Sequence, residues 1–600
     1  MIVKHYILIS MLAFWATPVA AQSYRDRTPE QEVIYFLLPD RFENGDTKND
    51  TGGLKGDRYV TGYDPASKGY YHGGDLKGLI KRLDYIQGIG ATAIWLSPIF
   101  KNKAVQGTKG DESAGYHGYW VTDFTSVDPH IGTDADFRAL VDAAHARGMK
   151  VYMDIITNHT ADVIDYREGT ANKYVYRSRA DYPYTRRASD GAAINEGFAG
   201  DHVQTPQNIA KLTDPSFAYT PFIRKGEEKV KKPDWLNDIN LYHNRGNSTF
   251  TGESSTMGDF VGLDDLMTEH PRVVQGFIDV YGSWIDRFGV DGFRIDTAKH
   301  VNPEFWQAFA PAMTARAKAK GIPNFHIFGE VASGDFDPVP TAASTHVAKL
   351  PTNLDFSFRA AVLNVLAGGG GTDVFEKLLM ADPLYAGGEA TALRLPTFTG
   401  NHDFGRFGHF AHKAFPSASE EEILQRAKLS NVILFTMRGV PVIYSGDEQG
   451  FTGDGGDQDA REDMFPSKVA IYNDNKLIAT KATTAQSNFD VTHPLYTFTA
   501  SLAKARTQYP QLSMGSTVLR YASAKPGLLA YSRMAKGSGE LLVAMNTSAL
   551  PIKARIQVET ISQNWSGIVA GCAIKPIAPG SVEVTLPPLG YIICEASSSN

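Results

Sequence analysis

Arg294 and Asp296 stand two residues apart in the run Gly292-Phe293-Arg294-Ile295-Asp296-Thr297-Ala298-Lys299-His300. Gly, Phe and Ile around them suit a buried strand, and a helical pattern over 271–288 precedes the run and stops at Gly289-Val290-Asp291. Side chains two apart on a strand share a face, so the guanidinium lies beside the carboxylate, keeps it ionised at neutral pH and orients it. That is what a carboxylate nucleophile needs. An isolated Arg-x-Asp is more often a structural ion pair. Here two further strand-like runs end in acids, 324–330 at Glu330 and 397–403 at Asp403. Carboxyl groups gathered in one cleft cannot all ionise freely, and a partly desolvated one holds its proton longer. A charged nucleophile beside a protonated acid suits glycosidic-bond cleavage with retention, for which the two carboxyls lie ~5–5.5 Å apart.

The elements that must position these acids follow a rhythm. Residues 33–38 read as a buried strand, a helix with apolar spacing covers 76–87, and a second strand spans 91–96. A helix from about 134 to 147 leads to a third strand, 151–155, ending in Thr157-Asn158-His159. The alternation persists through strands at 292–296, 324–330, 353–358, 397–403 and 440–444, with a further helix over 303–320. Strand–helix alternation at this period predicts a parallel sheet, and its persistence predicts a (β/α)8 TIM barrel with the acids of strands four, five and seven at one rim. No G-x-G-x-x-G follows the first strand, which weighs against a dinucleotide fold.

Residues 160–262 break the rhythm. They are polar, rich in Tyr, Asn, Asp and Gly, and too long for an ordinary loop, so they read as a subdomain inserted after strand three. The barrel is then expected over 22–159 and 263–508, and short alternating segments after residue 509 predict a C-terminal β-sandwich over 509–600.

A chain of 600 residues, 42% hydrophobic, can bury a large core and form more than one domain. With 21% charged residues and a net charge of −7, it carries no nucleic-acid footprint. Residues 1–21 read as a signal peptide: Lys4 and His5 precede an apolar run over 6–15, and Val19-Ala20-Ala21 supplies a cleavage site after Ala21. That run is short for a membrane span, and no other approaches spanning length. The mature chain is therefore expected to be exported, periplasmic or extracellular, without membrane insertion. Cys572 and Cys594 can pair in an oxidising compartment or remain two buried thiols.

The chain resembles the α-amylase family of glycoside hydrolases (glycoside hydrolase family 13). The resemblance is carried by Asp154-Ile155-Ile156-Thr157-Asn158-His159, by the run from Gly292 to His300, by Gly329-Glu330-Val331 and by Thr399-Gly400-Asn401-His402-Asp403. Accessory matches are Tyr116-His117-Gly118-Tyr119-Trp120, Gly262-Leu263-Asp264-Asp265-Leu266 and Gly439-Val440-Pro441-Val442-Ile443-Tyr444. The motifs stand in the family's order over about residues 33–450; singly each is weak, as an ordered set they are very specific. The resemblance implies Asp296 as nucleophile, Glu330 as general acid/base and Asp403 as the acid gripping the distorted sugar. It also implies that His159, Arg294 and His402 hydrogen-bond that sugar, that Tyr116 stacks on it, and that Lys299 and His300 face the leaving group.

The same resemblance implies calcium. Asn158, Asp265 and the His300 carbonyl match a site clamping the insertion to the barrel. Asn44, Asp46, Asn49 and Asp50, with the Gly73 carbonyl and Asp75, resemble a second site found in cyclodextrin glucanotransferases; a solvated Asn/Asp/Gly turn is the alternative reading of that loop. Both are oxygen-only donor sets, as a hard cation requires. Two positions depart from the pattern. Asp264 stands where many relatives carry Ala or Pro, and Val261 where ring-forming transferases carry a large aromatic. The acidic run Asp454-Gly455-Gly456-Asp457-Gln458-Asp459 is open to reading as a subsite, a third cation site or a solvated turn. The expected activity is retaining endo-hydrolysis of α-1,4-glucans and maltooligosaccharides. The alternatives are a cyclomaltodextrinase or maltooligosaccharide hydrolase, a transglycosylase, or a non-catalytic carbohydrate-binding protein; the last usually lacks one of the three acids, all of which are present here.

Overall fold

The computed structural model describes residues 23–169 and 174–597; the expected signal peptide and its cleavage site lie outside the described residues. Eight short parallel strands form the central sheet among them: β1 (Ile34–Leu37), β2 (Ala93–Leu96), β3 (Lys150–Ile155), β4 (Gly292–Ile295), β5 (His326–Gly329), β6 (Thr352–Asn353), β7 (Pro396–Thr397) and β8 (Val440–Tyr444). Their order is β6-β5-β4-β3-β2-β1-β8-β7, and Asp355 N–H donates to the Pro396 carbonyl across the β6/β7 seam (2.9 Å). This is a TIM barrel.

Strand parity divides the core. Ile34, Phe36, Ala93, Trp95, Tyr152, Phe328, Val440, Val442 and Tyr444 pack together inside the barrel. Tyr35, Leu37, Ile94, Leu96, Val151, Met153, Phe293, Ile295 and Ile327 face outward against the helices. On β4 the inward set is therefore Gly292, Arg294 and, just beyond the strand, Asp296. On β3 it includes Asp154, which is the Cα partner of Arg294 in the ladder. Gly292 is required where it stands: a Cβ there would lie 2.3 Å from the His326 carbonyl.

The helices form the outer layer. They include α1 (Asp134–Ala146), α2 (Pro271–Phe288) and α3 (Pro303–Ala319). α2 begins with Pro271 at its first turn, which suits the missing N–H, and ends on Gly289 in the left-handed region (φ 70°). Its Trp284 is fully buried, donates Nε1–H to the Phe124 carbonyl, and packs against Phe100, Phe137 and Phe288.

Three sequence expectations change. The run 353–358 is not one strand: β6 ends at Asn353, and Asp355 caps a helix at Phe356–Val362 by accepting from Phe358 N–H. β7 stops at Thr397, six residues before Asp403, which stands on a turn and not at a strand end. The expected helix over 76–87 breaks at Arg82 into Leu76–Lys81 and Leu83–Gly88.

Between β3 and α2 the chain makes a long excursion whose described helices are no longer than four residues. It is tied down by buried polar contacts. Lys231 Nζ reaches Asp264 (2.6 Å), and Asp264 also accepts from the backbone amides of Val163 and Ile164. The departure at Asp264 thus has a structural use: it pairs a buried lysine that would otherwise stand uncompensated. After residue 515 a five-stranded antiparallel sheet faces a three-stranded one across a core containing Leu542, Ala544, Val582, Val584 and Ile592. Cys572 and Cys594 are disulfide-bonded there, which settles the two readings of the cysteines.

Truncating Trp284 to Ala removes the centre of this aromatic cluster, with an expected loss of about 3–5 kcal/mol of stability, read by chemical denaturation.

Candidate active site

The carboxyl ends of the strands open into a cavity of about 600 Å³ whose lining includes Asp296, Glu330 and Asp403. Three acids far apart in sequence therefore share one wall. Arg294 holds two of them. Its Nη1 donates to Asp296 Oδ1 (2.9 Å) and to both Asp154 oxygens (2.8 and 2.9 Å), and its Nη2 lies 3.0 Å from Glu330 Oε2. One guanidinium thus contacts Asp296 and Glu330 through its two terminal nitrogens and holds both carboxyls against the same side chain. Thr297, directly after Asp296, takes a left-handed conformation (φ 48°, ψ 34°), unusual for a β-branched residue. The turn aims its amide at Glu330 Oε2 (3.1 Å), a second constraint on that carboxyl beside Arg294.

Arg294 is fully buried, and Asp154 behind it also accepts from Trp95 Nε1 and the Tyr119 hydroxyl (3.2 Å each). The electrostatics differ from the sequence expectation. Arg294 favours ionised Asp296, but burial raises the Asp296 carboxyl well above the usual range, and Glu330, Asp154 and Asp403 push it further up. Burial likewise pushes Asp154 up to about 7. Asp154 and Asp296 draw on the same cation, so their titration belongs to the pair and not to either residue alone.

Asp403 is held differently. Asn401 Oδ1 accepts from the amides of Asp403 and Phe404 (3.1 and 2.7 Å), an Asx-type turn that lifts the carboxylate into the cavity. Burial opposes ionisation of Asp403, yet His402, Arg461 and Arg294 together keep its carboxyl below the usual range. Burial lowers His402 to about 3, so that imidazole is neutral and the two guanidinium groups carry the effect.

The other expected residues divide into two groups. His159, Lys299 and His300 line the cavity, and burial lowers both imidazoles to about 4, leaving them uncharged. Tyr116, Arg294 and His402 stand behind the wall. Arg41 covers the Tyr116 ring (3.8 Å to the centroid) and the Tyr116 hydroxyl accepts from Arg461, so its face is not open to a sugar. Tyr119, three residues on, lines the cavity instead, with His117 and Trp120. Gly118 explains the register: a Cβ there would meet the Pro98 carbonyl at 2.0 Å, so the loop is pressed onto the end of β2 and its neighbours 117 and 119 face the opening. His402 is fully buried, with Nε2 2.8 Å from the Tyr119 hydroxyl and 3.3 Å from Asp403 Oδ2. Asp154, Tyr119 and His117 lay inside quoted motifs; strand parity would have found Asp154. Arg461, Phe250 and Phe260, which also line the cavity, have no local signal of their own. Val261 is 75% exposed at the rim, and the acidic run after β8 reaches the cavity through Asp457 and Gln458.

The calcium candidates are built mainly from amide and carbonyl oxygens: among the described residues no three carboxylate, imidazole or thiol side chains gather as a metal cage. In the N-terminal loop, Asn44 Oδ1 and Asn49 Oδ1 are buried and accept no hydrogen bond, and Asn44 Nδ2 donates to Asp50 Oδ1 (2.9 Å). A Cβ on Gly73 would lie 2.7–2.8 Å from Asn44 Nδ2 and Asp50 Oδ1, so its backbone reaches the same point. Two orphaned acceptors beside a carboxylate fit a hard cation. Asp46 is paired with Lys77 Nζ (2.7 Å), and Asp75 accepts from the amides of Gly45, Asp46 and Gly78. At the other candidate, Asp265 and Asn158 are buried on paired segments, and Asp265 Oδ2 contacts His243 Nδ1 (2.6 Å).

A parallel barrel with a guanidinium-bridged carboxylate pair at its open end is an arrangement that suits glycoside hydrolysis. The profile of the family described as "Alpha amylase, catalytic domain" matches residues 36–489. An α-amylase of Streptomyces lividans is 44% identical over 546 residues, covering 91% of this chain and 58% of its own length. A cyclomaltodextrin glucanotransferase of Geobacillus stearothermophilus is 27% identical over 569 residues, 92% of this chain and 65% of its own. Among solved structures, an Anoxybacillus α-amylase superposes with a TM-score of 0.67 at 26% identity, covering 96% of this chain and all of that one. The chain belongs to the α-amylase family, glycoside hydrolase family 13.

Asp154 adds negative charge to the group around Asp296 and draws on the same guanidinium. Replacing it with Asn should therefore lower the Asp296 pKa and move the acid limb of kcat/KM to lower pH. A limb that stays put or moves up would show that Asp154 does not load the nucleophile.

Proposed function

We propose that the protein hydrolyses α-1,4-glucosidic bonds of starch-like glucans and maltooligosaccharides, internally and with retention. Glu330 protonates the glycosidic oxygen while Asp296 attacks the anomeric carbon, giving a covalent glycosyl-enzyme. Glu330 then takes a proton from water, which displaces Asp296. Asp403 grips the hydroxyls of the distorted ring, Tyr119 and His159 border it, and Lys299 and His300 meet the departing chain. The observation that carries this reading is the single buried guanidinium of Arg294 shared by Asp296 and Glu330 on the wall that also holds Asp403. A cation locked between two carboxylates pre-sets the spacing of nucleophile and acid before substrate arrives.

Hydrolysis is favoured over ring formation by Val261: at 75% exposure, it offers an aliphatic tip and no flat ring on which a glucan could curl. Calcium, held by Asn44, Asn49, Asp50 and the Gly73 carbonyl, and by Asn158, Asp265 and the His300 carbonyl, would supply charge that fixes the loops around the barrel. Export is supported by the signal-like residues 1–21 and by the disulfide. No described helix is long and apolar enough to cross a membrane.

Glu330→Gln should lower turnover of a maltooligosaccharide by about 100-fold or more, and Asp296→Asn should abolish the glycosyl-enzyme seen by intact-protein mass with an activated glucosyl substrate. Wild-type turnover by the first variant, or a trapped adduct in the second, would remove those roles. Products from starch, a cyclic maltooligosaccharide and a short linear one separate hydrolysis from transfer. For calcium, chelation should lower the melting temperature and added Ca²⁺ restore it; an unmoved midpoint in both directions would argue against both sites.

A further inference from the structure

Arg461 lies 58 residues beyond Asp403, in the loop after β8, and its side chain is only 6% exposed. Every nitrogen of its fork is engaged. Nη2 contacts Asp403 Oδ1 (2.9 Å) and Asp457 Oδ1 (2.5 Å), Nη1 donates to the Tyr116 hydroxyl (3.2 Å), and Nε donates to the His402 carbonyl (3.1 Å). The backbone of the same loop adds a second hold: Asp457 N–H donates to the Asp403 carbonyl (2.9 Å), and a Cβ on Gly456 would lie 2.4 Å from that oxygen. Asp457, four residues before Arg461, takes a left-handed conformation (φ 53°) with its side chain 69% exposed. Asp457 thus balances the buried guanidinium from the solvent side while its left-handed backbone holds the carboxylate toward Arg461.

We propose that Arg461 is a positioning residue for Asp403: it clamps the carboxylate in the ionised, cavity-facing orientation, and Asp457 holds the clamp from the solvent side. The inference rests on the proposed role of Asp403 and deepens it by assigning the acidic run after β8. A guanidinium suits the task because its planar fork fixes direction as well as charge, which an ammonium cannot do. The charged and titratable groups facing Asp403 are His402 on its own turn, His117 and Tyr119 from the loop after β2, Arg294 and Asp296 of the β4 end, and Arg461 with Asp457. Of the two cations, Arg294 is already shared by three other carboxylates, so Arg461 is the one available to orient Asp403.

Full-length Arg461→Lys, Arg461→Gln, Asp457→Asn and Asp403→Asn variants test this by pH profiles and separate kcat and KM on a soluble maltooligosaccharide, with melting temperatures alongside. Arg461→Gln should lower kcat by about 100-fold, the scale of a misplaced catalytic group, and shift the acid limb to higher pH because a positive charge has left the carboxylates. Arg461→Lys keeps the charge and loses the fork, so its acid limb should stay near wild type while kcat still falls. Asp457→Asn should lower kcat less, with the acid limb unmoved or lower, and because the side chain is exposed it carries the test if the buried substitutions unfold the protein. A raised KM with unchanged kcat in the Arg461 variants would overturn the inference, making Arg461 a sugar ligand alone. Wild-type kinetics in Arg461→Gln beside an inactive Asp403→Asn would sink the clamp and leave the proposed function standing. Wild-type turnover by Asp403→Asn would bring down both.

Discussion

The site depends on one buried cation. Arg294 is fully shielded from solvent and meets Asp154, Asp296 and Glu330 with one planar group. Desolvating a guanidinium is expensive unless carboxylates surround it. Desolvating carboxylates is equally expensive without the cation. Each side therefore needs the other, and this mutual need draws β3, β4 and β5 into a common register at the rim. Burial and the residual imbalance, more carboxylates than cations, raise the Asp296 and Asp154 carboxyls above their usual range.

Around this centre the barrel supplies direction, and the loops supply closure. Parity sends Asp154, Arg294 and Phe328 inward from successive strands, and the aromatic set of Phe36, Trp95, Tyr152 and Tyr444 fills the space beneath them. Nothing below the acids can then move without displacing a packed ring. Above them, the excursion between β3 and α2 brings Phe250, Phe260 and Val261 to the cavity. It is seated by buried polar pairs, Lys231 with Asp264 and His243 with Asp265 and Glu269. Such pairs contribute less to stability than an apolar core of equal volume would, but they fix position more narrowly. Position is what a loop lining a cleft must have.

The family profile match over residues 36–489 places the chain among its relatives. Three features of its own structure surround the shared centre: the buried Lys231 paired with Asp264, the exposed aliphatic side chain of Val261 at the rim, and Arg461 shared between the cavity acid Asp403 and the surface acid Asp457.

Much of this was legible along the chain. The helix–strand rhythm, the Arg-x-Asp spacing and the acids after two further runs gave the barrel, the rim and the three carboxylates, because those features depend on periodicities of two and 3.6 residues that a sequence displays directly. Where reading failed, the reason was distance or competition. The 353–358 run alternates polar and apolar residues as a strand does, but Asp355 caps a helix there once β6 has ended. Tyr116 looked like the stacking ring, but Arg41, 75 positions earlier, covers its face, and Gly118 turns Tyr119 to the cavity in its place. Arg461 could not be foreseen, since nothing local marks it. By itself the sequence determined which residues lie on which face of each element. Which faces meet and which carboxylate each buried cation serves were decided only when the closed barrel removed water from between them, because the strength of those interactions depends on burial that no single segment possesses.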